Sequence, residues 1–350
     1  MQGNVSSPLQ PIIMRHINAH GPMGLDQYMS LCLQHPEHGY YISSNPLSSR
    51  RDFVTAPELG SLFGDLLGAW FAQQVTNLEL PEFDLVELGP GSGRLSRLLI
   101  RALDSFHPGK MRQLHLVETS PHLRLVQKER LAAYDPIHHD HVGKIHPTRP
   151  MLLMANEFFD ALPMRLFEFD QGGYHELLVG IQQKNLGFTR NIYPIAAHHI
   201  PPYAQGNMVV EHSPQSHVIS QEIHSMLRIH GGVVLIVDYG QIAPRTSPSI
   251  RGFHQHEVTG IFEQPGLTDI TYNVDFRMFV DDAAHEGLMT HPPITQGDFL
   301  NACGLEERLA QQLATKPNEQ KHLRDEAKML AQKDHMGECF LVHAAAGAMP

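Results

Sequence analysis

Four short apolar runs constrain the fold of this chain more than any other feature: Asp84–Leu88, Gln113–Glu118, Met151–Ala155 and Gly232–Asp238. Each has the length of a strand and is almost continuously apolar, the pattern of a strand covered on both faces. Helical periodicity follows the first two, over Arg94–Leu103 and from Pro121 to about Ala133. Thr119-Ser120-Pro121 supplies the start signal of the second helix. Strands and helices in alternation predict βαβ units and a parallel sheet, hence an α/β fold.

Upstream of the first strand, residues 8–35 suit two short helices, residues 43–52 a loop, and Leu59–Val75 one amphipathic helix. Two later stretches break the alternation. Residues 164–193 alternate in strand fashion around Gly172-Gly173, which predicts an antiparallel insertion. Residues 241–270 are rich in Pro, Gly, His and Ser and predict a mobile loop over a site. Thr271–Ala284 and Thr295–Lys333 read as mostly helical, and Cys339–His343 as a last strand. The predicted division is a helical and loop segment over 1–80 that packs on the site, and a sheet domain over 81–350. That domain carries insertions at about 164–213 and 241–335.

Composition excludes several classes. Of the 350 residues 42% are hydrophobic, enough for a sizeable core. Asp plus Glu is 37 against 26 for Lys plus Arg, a net charge of −11, so no basic footprint points to nucleic acid. The 3 cysteines lie far apart, which excludes a disulfide framework and fits a reducing compartment. No apolar run approaches the roughly 20 residues of a membrane span. The N-terminus lacks a basic region followed by an apolar one, so a cytoplasmic location is expected. His138-His139-Asp140-His141 is the one dense group among 25 histidines. Neighbouring residues rarely face one metal together, so it reads as a polar loop and no metal is assigned.

The strongest chemical signal is Glu87-Leu88-Gly89-Pro90-Gly91-Ser92-Gly93, between the first strand and its helix. Glycines at alternate positions allow a tight turn and close approach of a ligand to the backbone. The second strand ends in Glu118, where a carboxylate can accept both ribose hydroxyls of an adenosine. In a dinucleotide fingerprint the third glycine stands three residues after the second; here that position is Arg94. The spacing instead resembles motif I of class I S-adenosylmethionine (SAM) methyltransferases. A cationic sulfonium suits acids and carbonyls at the turn better than a phosphate cradle would. NAD stays open as the weaker alternative.

The second constellation, Asn156-Glu157-Phe158-Phe159-Asp160-Ala161-Leu162-Pro163, follows the third strand, at the sheet edge where ligands bind. Charged groups are poor core material unless paired, so Glu157 and Asp160 suit a cationic substrate. The plain alternative is an acidic helix start, and for Phe158 and Phe159 core packing. Asp238 and Tyr239 end the fourth strand at the same edge, although an aspartate there is often a turn residue. Thr55 and Glu58 read equally as a helix cap and first turn.

Together these segments resemble the MidA-like SAM-dependent methyltransferases, relatives of a mitochondrial arginine methyltransferase that assists complex I assembly. The resemblance is carried by His35–Tyr41, Asp52–Glu58 with Phe63-Gly64-Asp65, Glu87–Gly93, Glu118–Leu125, Asn156–Pro163, Val237–Gly240, Pro265–Phe276, Thr295–Leu300 and Met336–Phe340. They stand in family order over nearly the whole chain. The resemblance implies a class I Rossmann-like sheet with an N-terminal helical segment, an antiparallel insertion and helical C-terminal additions. It implies SAM as cofactor, held by Glu87, Gly89, Pro90, Gly91, Gly93, Glu118 and Asn156. It also implies symmetric dimethylation of a protein arginine, with Glu157 and Asp160 as catalytic carboxylates and an NADH dehydrogenase subunit as a candidate acceptor. Asp52, Thr55, Glu58, Phe158, Phe159, Asp238 and Tyr239 are candidates for the substrate side. Other acceptors, and a SAM-binding assembly factor without turnover, remain alternatives. Ser92-Gly93-Arg94-Leu95 and Ser249-Ile250-Arg251 depart from the family pattern and leave loop details and the acceptor open.

Overall fold

The computed structural model describes residues 7–43, 55–170, 172–196, 198, 200–206, 208–255 and 257–348. They form two compact units. The first takes described residues within 1–53, 159–218 and 242–275, and the second those within 54–158, 219–241 and 276–350.

The second unit is built on the predicted sheet. Its strands are β1 (Phe83–Leu88), β2 (Met111–Val117), β3 (Ile137–His139), β4 (Met151–Asn156), β5 (Gly232–Gln241), β6 (Met289–Thr290), β7 (Ile294–Thr295) and β8 (Phe340–Gly347). They run in the order β6-β8-β5-β4-β1-β2-β3, with β7 also on β8. The pairs from β5 to β3 are parallel, and β8 lies antiparallel to β5. Every residue of β1 and β4 is buried, as their unbroken apolar sequence requires. From β1 the chain steps outward to β2 and β3, then returns to the other side of β1 for β4 and β5. The order therefore reverses between β1 and β4, and the carboxyl ends of these two strands flank a crevice where ligands bind in such sheets.

Four helices of this unit matter here: α1 (Ala56–Leu59), α2 (Leu62–Asn77), α3 (Arg94–Phe106) and α4 (Pro121–Arg130). The predicted Leu59–Val75 helix begins later, at Leu62, because Gly60 ends the separate α1 turn. Helix α2 lies tight against α3: a Cβ built on Gly64 would stand 2.5 Å from Leu98 Cδ1, and one on Gly68 2.4 Å from Ala102 Cβ. Asp65, also from the Phe63-Gly64-Asp65 run, is buried and accepts from Arg101, Arg308 Nη2 (2.7 Å) and Gln312 Nε2 (2.8 Å).

The first unit is antiparallel, as predicted for 164–193. Arg165–Asp170, Gly173–Gln182 and Asn185–Arg190 pair in succession, and Val209–His212 joins Arg165–Asp170. Four expectations change. The predicted 1–80 segment is not one piece: Met23–Gly24 pairs with Leu178 and Val179 in the first unit, while the described residues from 55 to 80 belong to the second. Residues 241–270 are not a featureless loop. Arg251–His254 pairs with Glu257–Thr259 and with Asp269–Thr271, and Thr271 closes that last strand instead of opening a helix, which begins at Arg277. The Ser249-Ile250 departure sits at a buried anchor. The Glu211 carboxylate accepts from both their backbone amides (2.8 and 2.9 Å), from the Ser249 hydroxyl (2.6 Å) and from Arg245 Nη1 (2.9 Å). Finally, His138 and His139 lie on β3, not in a loop. Among the described residues no group of three or more His, Cys, Asp or Glu is arranged to hold a metal, and no helix is long and apolar enough to cross a membrane.

The second unit buries a histidine pair. His224 Nδ1 donates to the Ser220 carbonyl (2.7 Å), so its Nε2 accepts from His343 Nε2 (3.4 Å). His343 is fully buried, and burial pushes it down to about 3 from the usual 6.5. Burial also lowers His224, and pushes His115 and His212 down to about 4. Below pH 6.5 the unfolded chain binds protons that these folded histidines refuse, so stability falls as pH falls. His343 contributes this slope between about pH 6.5 and 3, at most about 1.4 kcal/mol per pH unit. Denaturant unfolding at pH 7.5 and 5.5 checks it. His343→Phe is expected to flatten the difference; an unchanged slope in the variant would remove His343 as its source.

Candidate active site

The crevice between β1 and β4 is built from two loops. After β1, Gly89, Gly91 and Gly93 all take positive φ (+61°, +51° and +75°), a conformation side chains rarely adopt. The Gly89 amide donates to the Val117 carbonyl (2.9 Å) and the Gly93 amide to the Pro90 carbonyl (2.7 Å), which ties the turn to β2 and closes it. A Cβ on Gly91 would meet nothing within 4 Å, so a ligand can reach the backbone there; one on Gly89 would stand 2.9 Å from the Phe158 ring. Glu87 is fully buried and accepts from the Ser96 hydroxyl. Burial pushes its carboxyl up to about 7, while bonds from Ser96 oppose the shift. Its carboxylate thus fastens the first turn of α3 and sets the glycine turn from within.

Glu118, at the end of β2, accepts from the Ser120 amide (2.8 Å) and from Gln127 Nε2 (3.3 Å). Burial raises its carboxyl above the ordinary range, and those two bonds draw it back. A carboxylate with lone pairs to spare at this strand end suits a ribose.

After β4, Asn156 and Glu157 form one unit with α1. Glu157 Oε1 accepts from Asn156 Nδ2 (3.1 Å) and from the Ala56 amide (3.2 Å). Asn156 is 9% exposed, and its Oδ1 is buried with no partner among the described residues. An orphaned acceptor at the crevice fits a cationic ligand group such as an ammonium. Glu157 has φ +50°, in the left-handed region that a glutamate occupies at a cost. Its amide donates to Val237 of β5 (2.9 Å), and the next amide, of Phe158, donates to Asp238 Oδ2 (3.1 Å). Asp238 is fully buried, so the turn-residue reading gives way to an anchor for the β4 loop. Tyr239 packs on Phe340, ring centroids 4.1 Å apart.

The remaining candidates divide. Glu58 accepts from the Ser92 hydroxyl (2.6 Å), which itself accepts from Arg130 Nη1 (2.6 Å), so α1 is moored to the glycine turn. Thr55 stands at the N-cap of α1 but makes no side-chain cap bond, which corrects the capping expectation; only its carbonyl takes part, accepting from Glu58 (2.9 Å). Asp52 lies outside the described residues. Phe159 and Asp160 belong to the first unit. There Phe159 is fully buried, as the packing alternative expects, and its carbonyl accepts from the Tyr272 hydroxyl (3.1 Å). Asp160 is buried and accepts from Thr271 Oγ1 (2.7 Å); its charge and that of Asp269 help hold the Tyr41 hydroxyl well above its usual range, after burial.

Sequence reading missed Ser92, Arg130 and, above all, Gln127. A signal for Gln127 existed: with Leu123 and Leu131 it recurs every four residues, a polar residue on an apolar stripe.

A class I methyltransferase sheet with an adenosine-ready turn defines the class of protein. Residues 66–294 match the profile of a family described as "Putative S-adenosyl-L-methionine-dependent methyltransferase". Protein arginine methyltransferase NDUFAF7, mitochondrial, from Danio rerio is 32% identical over 373 residues, covering 96% of this chain and 87% of that one. The Homo sapiens protein of the same name is 30% identical over 367 residues, covering 96% and 83%. A crystal structure from Burkholderia thailandensis, bound to S-adenosyl-homocysteine, shares the fold with a TM-score of 0.82 at 24% identity, covering 97% of this chain and 93% of that one. The chain belongs to this MidA-like family and is a SAM-dependent methyltransferase.

If the φ of Glu157 stores strain, glycine relieves it where alanine does not. Glu157→Gly is expected to be more stable than Glu157→Ala by about 1 kcal/mol, although both lose the same carboxylate. Denaturation midpoints decide it. Equal stability would mean no strain is held at this position.

Proposed function

We propose that this enzyme methylates an arginine side chain of a protein. The observation that carries the reading is the Asn156–Glu157 pair: a carboxylate held in a strained backbone beside a buried acceptor, at the rim of the cofactor crevice. The curated relatives bear the name protein arginine methyltransferase, which supports it. Gly89, Gly91 and Gly93 would seat SAM against backbone, Glu118 would take its ribose hydroxyls, and Asn156 Oδ1 would accept from a cationic group. SAM supplies an electrophilic methyl on a sulfonium.

The chain's own residues must then solve one problem. A guanidinium has a pKa above about 12 and is a poor nucleophile while protonated. A carboxylate that accepts two of its N–H groups fixes the plane, localises charge away from the attacking nitrogen and holds the proton it loses. Glu157 has that role in this reading. The family resemblance gives Asp160 a catalytic role too; in the structure it accepts from Thr271 of its own unit. Symmetric dimethylation and an NADH dehydrogenase subunit as acceptor extend the family resemblance, with an aid to respiratory complex I assembly as the consequence. A cytoplasmic location belongs to the same proposal; all of Cys32, Cys303 and Cys339 are free thiols, in keeping with a reducing compartment.

Calorimetric titration with SAM, S-adenosyl-homocysteine and NAD tests the cofactor, with Glu118→Ala expected to weaken binding by about 1 kcal/mol or more. Transfer of labelled methyl to arginine and lysine peptides tests the acceptor. Label is expected on arginine alone, with Glu157→Gln slower by about 10²-fold or more. Binding of SAM with label only on lysine, or on neither peptide, would overturn the arginine reading.

A further inference from the structure

Gln127 is the residue on which three strand ends converge. It is fully buried in α4. Its carboxamide nitrogen donates to the Gly91 carbonyl (2.8 Å), in the turn after β1, and to Glu118 Oε2 (3.3 Å), after β2. Its carboxamide oxygen lies 2.9 Å from Nε2 of His138, on β3. Both acceptors on the nitrogen side lack protons to give. The amide can therefore face only one way, and His138 must carry its proton on Nε2. A flipped amide would set an oxygen against a carbonyl and a carboxylate. His138 is also acted on by the Pro136 carbonyl, which opposes the lowering of its pKa by burial.

We propose that Gln127, oriented by His138, is a positioning residue for cofactor binding: it sets the spacing between the Gly91 backbone and the Glu118 carboxylate that adenosine requires. The proposal rests on the assignment of these two groups to the cofactor. Nothing in it requires Gln127 or His138 to touch the ligand. The cavity left by a smaller residue is not the point either. Hydrogen-bond polarity sets the effect, so the order of effects among similar shapes separates positioning from packing. Gln127→Glu keeps the shape and inverts the polarity, placing a carboxylate against the Gly91 carbonyl and Glu118. Gln127→Met keeps most of the volume and removes both donors. If Gln127 merely packs, Glu is the milder change or the two are alike. If Gln127 positions, Glu is the worse.

The test is the affinity of the full chain for S-adenosyl-homocysteine by calorimetry, with thermal unfolding of each variant measured alongside. Two lost hydrogen bonds predict about tenfold weaker binding for Gln127→Met, and a larger loss for Gln127→Glu. His138→Gln retains a donor near the Nε2 position and is expected to bind within about threefold of wild type, while His138→Leu falls by about tenfold. Wild-type affinity in Gln127→Glu, or Gln127→Met as the weaker binder of the two, would overturn the proposal. Should the Gln127 variants fail to fold, the His138 pair decides alone: equal affinities for His138→Gln and His138→Leu would overturn it. Failure of the wild-type protein to bind S-adenosyl-homocysteine would instead remove the cofactor assignment itself, a distinct result.

Discussion

The reversal of strand order between β1 and β4 is the constraint on which this enzyme depends. Where strand order in an open parallel sheet continues in one direction, the connections leave neighbouring strands to the same side. At the reversal the chain leaves β1 toward β2 and leaves β4 toward the other side, so nothing connects the two ends and the crevice stays open. The loops that leave there meet opposite demands. They must present backbone to a ligand, and they must also satisfy their own polar groups in a buried place. The glycine turn meets the first through positive φ. The carboxylates and amides beneath it meet the second.

Three anchors below the crevice act alike: a carboxylate, buried at Glu87 and Asp238 and half-buried at Glu157, takes a donor that no sheet or helix uses. Glu87 holds the start of α3, Asp238 holds the Phe158 amide, and Glu157 holds the Ala56 amide. The two buried ones would be costly alone, because a buried carboxylate without partners loses far more than a hydrogen bond returns. Together they fix loops whose sequences have no regular structure to fix them. The half-buried Phe158 ring completes the arrangement, lying so near Gly89 that no side chain fits at that position. Rigidity here serves binding: a preformed site does not spend affinity on ordering its own loops.

The parts of this fold legible in the sequence were those whose physics is local. Strands β1, β2, β4 and β5 declare themselves because burial on both faces leaves no alternation to confuse. The glycine turn and Glu118 declare themselves by adjacency to those strands. What sequence could not show was long-range pairing. Met23–Gly24 is too short to signal a strand and exists only through Gly173–Gln182. Residues 241–270 look like a loop because their strands are short and their partners are one another across turns rich in Gly and Pro. Position alone offers Asp238 as a substrate-side candidate or a turn residue, whereas the bond it makes is to an amide eighty residues earlier. Likewise Glu58 reads as helix-start chemistry, yet its partner is Ser92.

Glu87 and Glu157 show how environment separates two acids that sequence places in similar motifs, each by the carboxyl end of a parallel strand. Glu87, the penultimate residue of β1, points its carboxylate into the fold, where burial moves it to about 7 and leaves it partly protonated at neutral pH. A protonated fraction weakens any electrostatic claim it could make on a cationic cofactor, so its contribution passes through the geometry of α3 and the turn. Glu157 lies one residue beyond β4, is only half-buried, and accepts from the Ala56 amide and the Asn156 carboxamide. The acid that sits deeper shapes the turn, and the acid at the rim is the one proposed to act on the acceptor. Two residues of difference relative to the strand end separate them, because Glu157 carries the positive φ that turns the chain out of the sheet.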